Sequence, residues 1–342
     1  DTRTQLLTAS PFQLMLSLSL PAMIGMVVVG LYSFMDRVFV GQLIDQVAMG
    51  AVAVSYPFTL INSGISTLTG VGSASVLSRA VGKKDQGTID KIMGNLIALN
   101  LILGVIVTAL GMIFTRPILS LSGAAYATVI AQIVYAAAML RHFHSKSKNV
   151  RIHGIRLEKS LIPAIFGVGF SAMLMQVMTL LQQTVLYHIA HSYGGDDWQI
   201  LLGAVLSVQS FTMIPLWGAS QGFQPAAGTN YGAKQYDRVR QITKTFLAGV
   251  TILSLIFYIP IQLGAETVLS WFIKESRIVS MGVTDFRVLF STYIFLGLVL
   301  MAITLMQSLG KASKASVLVL LRQIILFVPL VILGAVDKVP EI

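Results

Sequence analysis

Nine long apolar stretches constrain the fold of this 342-residue chain more than any other feature of its sequence. About 20 apolar residues in a helix span the ~30 Å hydrocarbon core of a bilayer. The stretches cover residues 12–36, 46–78, 92–114, 124–140, 160–191, 200–230, 245–273, 286–309 and 315–334. Only 11% of the residues are charged, whereas soluble domains have about 25%. We therefore predict an all-α membrane protein.

The basic residues lie mainly in short segments between these stretches, and their distribution predicts an orientation. Of the 24 lysines and arginines, 17 fall on the side of the membrane that also holds the N-terminus. Cytoplasmic loops carry such an excess, so we expect a cytoplasmic N-terminus in a plasma membrane such as the bacterial inner membrane. The formal net charge of +10 has the same origin and gives no reason to expect a nucleic-acid partner.

The chain repeats itself at an offset of about 150 residues. Residues 82–84 match residues 232–234, and residues 21–23 match residues 171–173. Both copies begin on the same side of the membrane, so the repeat is parallel, with its axis along the membrane normal. Transporters with such halves bind substrate between them and move one half against the other. We therefore predict a transporter and not an enzyme.

The two halves hold unequal numbers of apolar stretches. Four stretches precede the basic segment at residues 141–159, and five follow it. We predict a parent with twelve transmembrane helices in two six-helix lobes, of which about nine are present in this chain. The N-terminal lobe is residues 1–145, with its fourth and fifth helices missing near residue 124. The C-terminal lobe is residues 146–342, with the twelfth helix missing.

Several short motifs carry a resemblance to a known family. They are residues 34–41, 125–128, 220–225, 228–234, 307–311 and 321–323, together with Pro329. The most specific piece is Gln224-Pro225 followed by residues 228–234. On these residues the chain resembles the multidrug and toxic compound extrusion (MATE) family. The resemblance implies twelve helices in two lobes and the export of varied, mostly cationic drugs in exchange for inward Na⁺ or H⁺.

Asp36 is the acidic residue that we place deep in an apolar stretch, because residues 38–40 continue the stretch beyond it. The only other acid in a stretch, Glu266, matches Arg116 in the repeat and is interpreted as an interfacial anchor. A carboxylate inside a membrane costs a few kcal/mol and usually marks an ion site. H⁺, Na⁺ and a cationic drug can compete for it. The alternative is a structural pair with Arg37, although adjacent helical residues do not face each other.

The coupling ion is expected to be Na⁺ or H⁺. If it is Na⁺, it needs further ligands in addition to Asp36. The resemblance places Thr128 near the family's cation site, but its hydroxyl can equally bond its own helix backbone. Asn62 and Tyr32 are further candidates. No resident cofactor is expected, and the chain contains no cysteine for a thiolate site.

Glutamines take the place of a deep acid in the second half. Gln176 and Gln183 are two helical turns apart and share one face. Gln182 lies in the same stretch, 160–191, and Gln209 lies in the next one, 200–230. Buried amides need partners, so these four either form a polar wall of the substrate cavity or join helices by hydrogen bonds.

The sequence favours a monomeric multidrug exporter in the bilayer, coupled to Na⁺ or H⁺. The alternative within the wider superfamily is a flippase for lipid-linked saccharides. Such a flippase needs buried basic groups for an anionic headgroup, whereas the deep charge of this chain is acidic. An intramembrane protease needs a Ser–His pair or paired aspartates within its spans, and no such pattern is present.

Overall fold

The computed structural model describes residues 2–43, 46–115, 141, 152 and 154–326. The helices in the first half are α1 (Thr2–Thr8), α2 (Pro11–Leu43), α3 (Gln46–Lys83) and α4 (Gln86–Thr115). A helical segment Ile162–Gly232 follows and turns at Gly195, whose φ is 67°. Its two parts are α5 (Ile162–Ser192) and α6 (Gly194–Gly232). The remaining helices are α7 (Tyr236–Leu263), α8 (Ala265–Ser270), α9 (Ser276–Ser291), α10 (Tyr293–Ser308) and α11 (Ala312–Leu320), with a π-helical turn at Leu321–Leu326.

Six segments among the described residues are long and apolar enough to cross a membrane: Pro11–Val28, Gln86–Val107, Ile162–Ser192, Gly194–Gly232, Tyr236–Leu263 and Ser276–Ser308. The described chain contains helices and no strand. The predicted all-α membrane fold is therefore confirmed. The predicted stretch at 124–140 lies outside the described residues.

The predicted bounds of one span were wrong. The apolar stretch predicted a start at residue 286, whereas the helix begins at Ser276. Ile278, Val279, Gly282, Phe286 and Phe290 form its buried face, and the opposite face is polar, so a search for continuous apolar residues misses its first turns. Asp285 consequently lies inside the candidate span Ser276–Ser308, although the sequence placed it outside the apolar stretch.

Two equivalent turns confirm the repeat at the level of the backbone. Lys84 follows the last residue of α3, and Lys234 lies two residues after the end of α6. Both residues have a left-handed backbone, with φ of 60° and 63°. In each turn, the N–H of the next residue donates to a carbonyl five residues back: Asp85 to Ala80 and Gln235 to Asn230. This is the helix-ending pattern in which a left-handed residue satisfies the last carbonyls. We call the end of the molecule with Lys84 and Lys234 the basic end.

Each half buries the start of the other half's first long helix, which is α2 in the first half and α5 in the second. Leu14 of α2 belongs to the same hydrophobic cluster as Phe223 and Phe246 of the second half. Ile165 of α5 packs reciprocally with Val76 and other residues of the first half. The two lobes therefore meet through exchanged helix starts, with α2 against α6 and α5 against α3.

Candidate inter-lobe site

The predicted coupling residues fall mostly outside the described part of the structure. Asp36 and Tyr32 belong to α2, but their side chains are not among those described, and Thr128 lies outside the described residues altogether. Asn62 of α3 is described and is exposed. Their role in coupling stays a prediction.

A polar contact joins the lobes beside Asn62. The Gln176 amide on α5 donates from Nε2 to the Ser63 hydroxyl on α3 over 3.1 Å. Asn62 and Ser66 lie on the exposed face of α3, where lipid contact would leave their polar groups unsatisfied. This part of α3 therefore has the composition of a wall that faces water.

The other three predicted glutamines also lie in positions that fit a wet cavity. The amides of Gln182, Gln183 and Gln209 belong to residues that are exposed or half-buried. Within the described part of the chain, these side chains form no hydrogen bond with another residue. Amides in hydrocarbon need partners, and the assignment of these three to the wall of a cavity stays a prediction. Gln176 differs from the three because it also holds the lobes together.

Buried polar side chains continue this contact toward the basic end. The Ser75 hydroxyl of α3 donates to the Gln307 carbonyl over 2.5 Å, and the Gln307 amide donates to the Ser171 hydroxyl over 3.0 Å. Gln224 of α6 donates to the Val71 carbonyl over 3.1 Å. Gln224 and Gln307 carry the family resemblance, but the sequence did not predict that the Gln224 amide and the Gln307 carbonyl hydrogen-bond across the two halves, nor that the Gln307 amide joins two helices of the second half. We call this row of bonds the inter-lobe seam.

Glycines close the seam at the basic end. A methyl group added at Gly82 of α3 would overlap the Thr229 carbonyl oxygen of α6, and one added at Gly232 would overlap the Arg79 carbonyl oxygen. These two contacts exchange under the 150-residue repeat, because residue 79 corresponds to residue 229 and residue 82 to residue 232. The Ser78 hydroxyl lies against Gly228, its own counterpart. The pseudo-twofold axis thus passes between Ser78 and Gly228, and we call these contacts the glycine seal.

Acidic groups fasten the surface segments around the basic end. The Asp85 carboxylate accepts hydrogen bonds from the Thr88 hydroxyl and the Thr88 N–H at the start of α4, and these bonds lower the pKa of Asp85. The Glu158 carboxylate lies 3.2 Å from the Lys91 ammonium, which together with Ser160 lowers the pKa of Glu158. The Asn95 side chain accepts from the Glu158 N–H over 3.0 Å. Glu158, shortly before α5, is therefore bonded to α4.

No group of three or more His, Asp or Glu side chains that could hold a metal ion occurs among the described residues. An apolar depression on the outer side of α2, lined by Phe12, Leu16, Leu20 and Pro21, lies on the surface where lipid is expected and contains no ionisable group. The seam and its neighbouring amides, and not this depression, are the candidate site.

A sequence profile of the MatE family matches residues 21–142 and 171–333, which is most of the chain. The chain belongs to the MatE family. This confirms the family that the motifs at residues 220–234 and 307–323 indicated. The family-level assignment is to membrane transporters and not to enzymes.

Curated relatives in the MatE family include proteins named for different cargoes. The multidrug export protein MepA of Staphylococcus saprophyticus is 20% identical over 391 aligned positions, covering 93% of this chain and 86% of the relative. The FAD transporter of Shewanella oneidensis is 24% identical over 413 positions, covering 97% and 90%. At these identities, the names of the relatives do not decide the substrate of this chain.

Solved structures of the MatE family show the same fold. An outward-facing multidrug resistance MATE family transporter of the MOP superfamily superposes with a TM-score of 0.90 at 19% identity, covering 98% of this chain and 91% of that chain. A MOP superfamily transporter from Pyrococcus furiosus, described as having a binding pocket of reversed polarity, gives 0.83 at 18% identity, covering 98% and 91%. The two-lobed MatE fold is therefore established for this chain.

Proposed function

We propose that this MatE protein exports organic cations and related drugs across the plasma membrane in exchange for inward Na⁺ or H⁺. The observation that carries the proposal is the pair of homologous halves that close on each other at one end through the glycine seal. Such an arrangement supports alternating access, because breaking the seal and closing the opposite end requires only a movement of one lobe against the other. The presence of drug exporters among its relatives supports the cargo class.

In this proposal, the basic end is cytoplasmic and the seal belongs to the state that faces outward. The excess of lysine and arginine at that end supports the orientation. Gln182, Gln183 and Gln209 provide a polar wall for substrate, and Asp36 binds the coupling ion. An ion can drive the cycle only by binding one state more tightly than the other. In this proposal the protein works as a monomer, because both lobes that form the glycine seal belong to one chain.

The parent also contains two further helices near residue 124, so that both lobes have six. The alignments with the relatives support this part of the proposal, because they run over 391 and 413 positions although this chain has 342 residues. The relatives therefore carry residues that have no counterpart in this chain. Sequencing the coding region across residues 123–126 tests the assignment, and a coding region that joins these residues directly contradicts it.

The test of coupling is drug efflux from proteoliposomes under an imposed Na⁺ gradient and, separately, an imposed pH gradient. We expect one gradient to drive efflux in the parent and in Asp237→Asn, a control that removes an exposed carboxylate at the basic end. We expect Asp36→Asn to fold but to lose gradient-driven efflux. Efflux by Asp36→Asn at the rate of the control shows that Asp36 is not the coupling site.

A second candidate function is the transport of an anionic substrate, and Arg322 favours it. This guanidinium lies half-buried in the π-helical turn after α11, and it forms no ion pair with an acidic group of the described residues. The FAD transporter among the relatives carries a cargo with two phosphates, and a flippase for lipid-linked saccharides handles similar chemistry. Uptake of FAD into inverted vesicles, competed by excess anionic but not cationic compounds, distinguishes this candidate from drug export.

A further inference from the structure

The N-terminal helix α1 connects the two lobes across the basic end. It is covalently part of the first half, because two residues join it to α2. Its side chain Leu6 is buried in a cluster made largely of second-half residues, including Phe223 and Phe246. A helix of seven residues is marginally stable by itself, so its burial in the opposite lobe calls for a physical explanation.

One anchor of α1 lies on the first half. Arg3 donates from Nε to the Val81 carbonyl over 3.0 Å and from Nη2 to the Gly82 carbonyl over 3.1 Å. These carbonyls belong to the last turn of α3, where a helix leaves acceptors unsatisfied and carries partial negative charge. The guanidinium therefore binds the end of α3 at the position of the glycine seal itself.

The other anchor lies on the second half. Asn230 of α6 donates from Nδ2 to the Leu6 carbonyl over 2.9 Å. Arg238 of α7 donates from Nη2 to the Ala9 carbonyl over 2.8 Å and from Nε to the Asn230 side-chain oxygen over 3.1 Å. Asn230 is fully buried. Separation of the lobes at the basic end would break the bonds of one anchor or the other, and each broken bond has a free-energy cost.

The repeat does not duplicate the side chains of the second-half anchor, which distinguishes this anchor from the glycine seal. Under the 150-residue offset, Asn230 corresponds to Ala80 and Arg238 to Thr88. Ala80 cannot donate a side-chain hydrogen bond, and the Thr88 hydroxyl is bonded to Asp85. The glycine seal is symmetric, whereas the second-half anchor formed by Asn230 and Arg238 has no side-chain counterpart at Ala80 and Thr88.

We propose that α1 is a strap that holds the basic end closed and raises the barrier to the state that opens there. Its two anchors act in series, because α1 transmits force between the lobes only while both are bound. The strap concerns the stability of one conformation, so it rests on the proposed alternation of the lobes but not on the coupling ion or the cargo.

The test uses a single cysteine in a chain that has none of its own. Ser75→Cys places a thiol in the seam at a fully buried position, and its alkylation rate by a maleimide in nanodiscs reports how often the basic end opens. We expect Arg238→Ala and Arg3→Ala each to raise this rate about tenfold or more, since each removes hydrogen bonds from a charged donor. Arg240→Ala is the matched control, because Arg240 is an exposed residue of the same helix as Arg238.

Two further measurements separate a strap from a general loss of structure. Ser254→Cys reports from a fully buried position in α7, within the second half and away from the seam, and its alkylation rate should not change. The double variant Arg3→Ala/Arg238→Ala should open about as often as either single variant, because a strap released at one end no longer holds. Independent defects more than about 7 Å apart would instead multiply their effects.

The proposal is overturned if the maleimide alkylates Ser75→Cys at the same rate in the Arg3→Ala and Arg238→Ala variants as in the Arg240→Ala control. It is also overturned if both reporters accelerate together or if the double variant shows the product of the single effects. Gradient-driven efflux by Asp36→Asn at the rate of its control would contradict only the proposed coupling site and would leave the strap unaffected.

Discussion

Gly82→Ala should open the basic end without disturbing either lobe. A methyl group at Gly82 would overlap the Thr229 carbonyl oxygen and would lie 2.8 Å from the Ala233 nitrogen and 2.9 Å from the Gly232 α-carbon. All three are backbone atoms, so no side chain can rotate away. Carbon atoms pack at about 3.5–4.0 Å, so α3 and α6 must separate by about 1 Å.

The overlap exists only in the conformation in which the glycine seal is closed. The substitution therefore destabilises that conformation and shifts the equilibrium toward the one that is open at the basic end. Overpacking a rigid contact costs about 1–3 kcal/mol. Since about 1.4 kcal/mol is a factor of ten in an equilibrium constant, the open population should rise between about fivefold and about 140-fold. The alkylation rate of Ser75→Cys should rise by the same factor.

The repeat supplies a second variant and the helix a control. Gly232→Ala should act in the same direction, because its methyl group would overlap the Arg79 carbonyl. Gly70→Ala lies on α3 with no atom within 4 Å of the added carbon, so it should leave the rate unchanged while raising helix propensity. If Gly82→Ala and Gly70→Ala give equal rates, close backbone contact does not hold the lobes together.

Further predictions concern the turns and the pH response. Lys84→Gly and Lys234→Gly should each stabilise the protein by up to about 1 kcal/mol and raise its thermal unfolding temperature in detergent. The reason is that a left-handed backbone costs a residue with a side chain about that amount. As a control, Lys83→Gly within helix α3 should lower the unfolding temperature. Asp85→Ala should lower the unfolding temperature at pH 7, where the lowered pKa of Asp85 keeps its carboxylate ionised. This difference should shrink as the pH falls through that lowered value, since protonation removes the same stabilisation; a difference that is constant down to about pH 3 would contradict the capping role.

The sequence allowed the fold to be predicted because the apolar stretches and the 150-residue repeat are global signals. The left-handed Lys84 and Lys234 occupy the repeated positions that the sequence identified, and the bounds predicted for the two halves stay a prediction. The sequence missed the first turns of α9 because only one face there is buried, and so it missed Asp285 within the span.

The inter-lobe contacts could not be predicted from local patterns. A glycine such as Gly82 or Gly232 indicates a helix end, and nothing in the neighbouring residues indicates which carbonyl will lie against it. Gln176 was predicted either to line a cavity or to join helices, and its bond to Ser63 shows that it joins α5 to α3. The hydrogen bonds of Arg3 were not predicted because the sequence analysis used the basic residues only to predict the orientation of the chain.

The exchange of helix starts between the halves also has a consequence for biosynthesis. Leu14 enters the membrane early, but its packing partners Phe223 and Phe246 are translated more than 200 residues later. Until then the apolar face of α2 has only lipid or the insertion machinery as a neighbour. The N-terminal lobe made alone should therefore be degraded, and the two lobes expressed as separate chains should rescue each other only when they are made together.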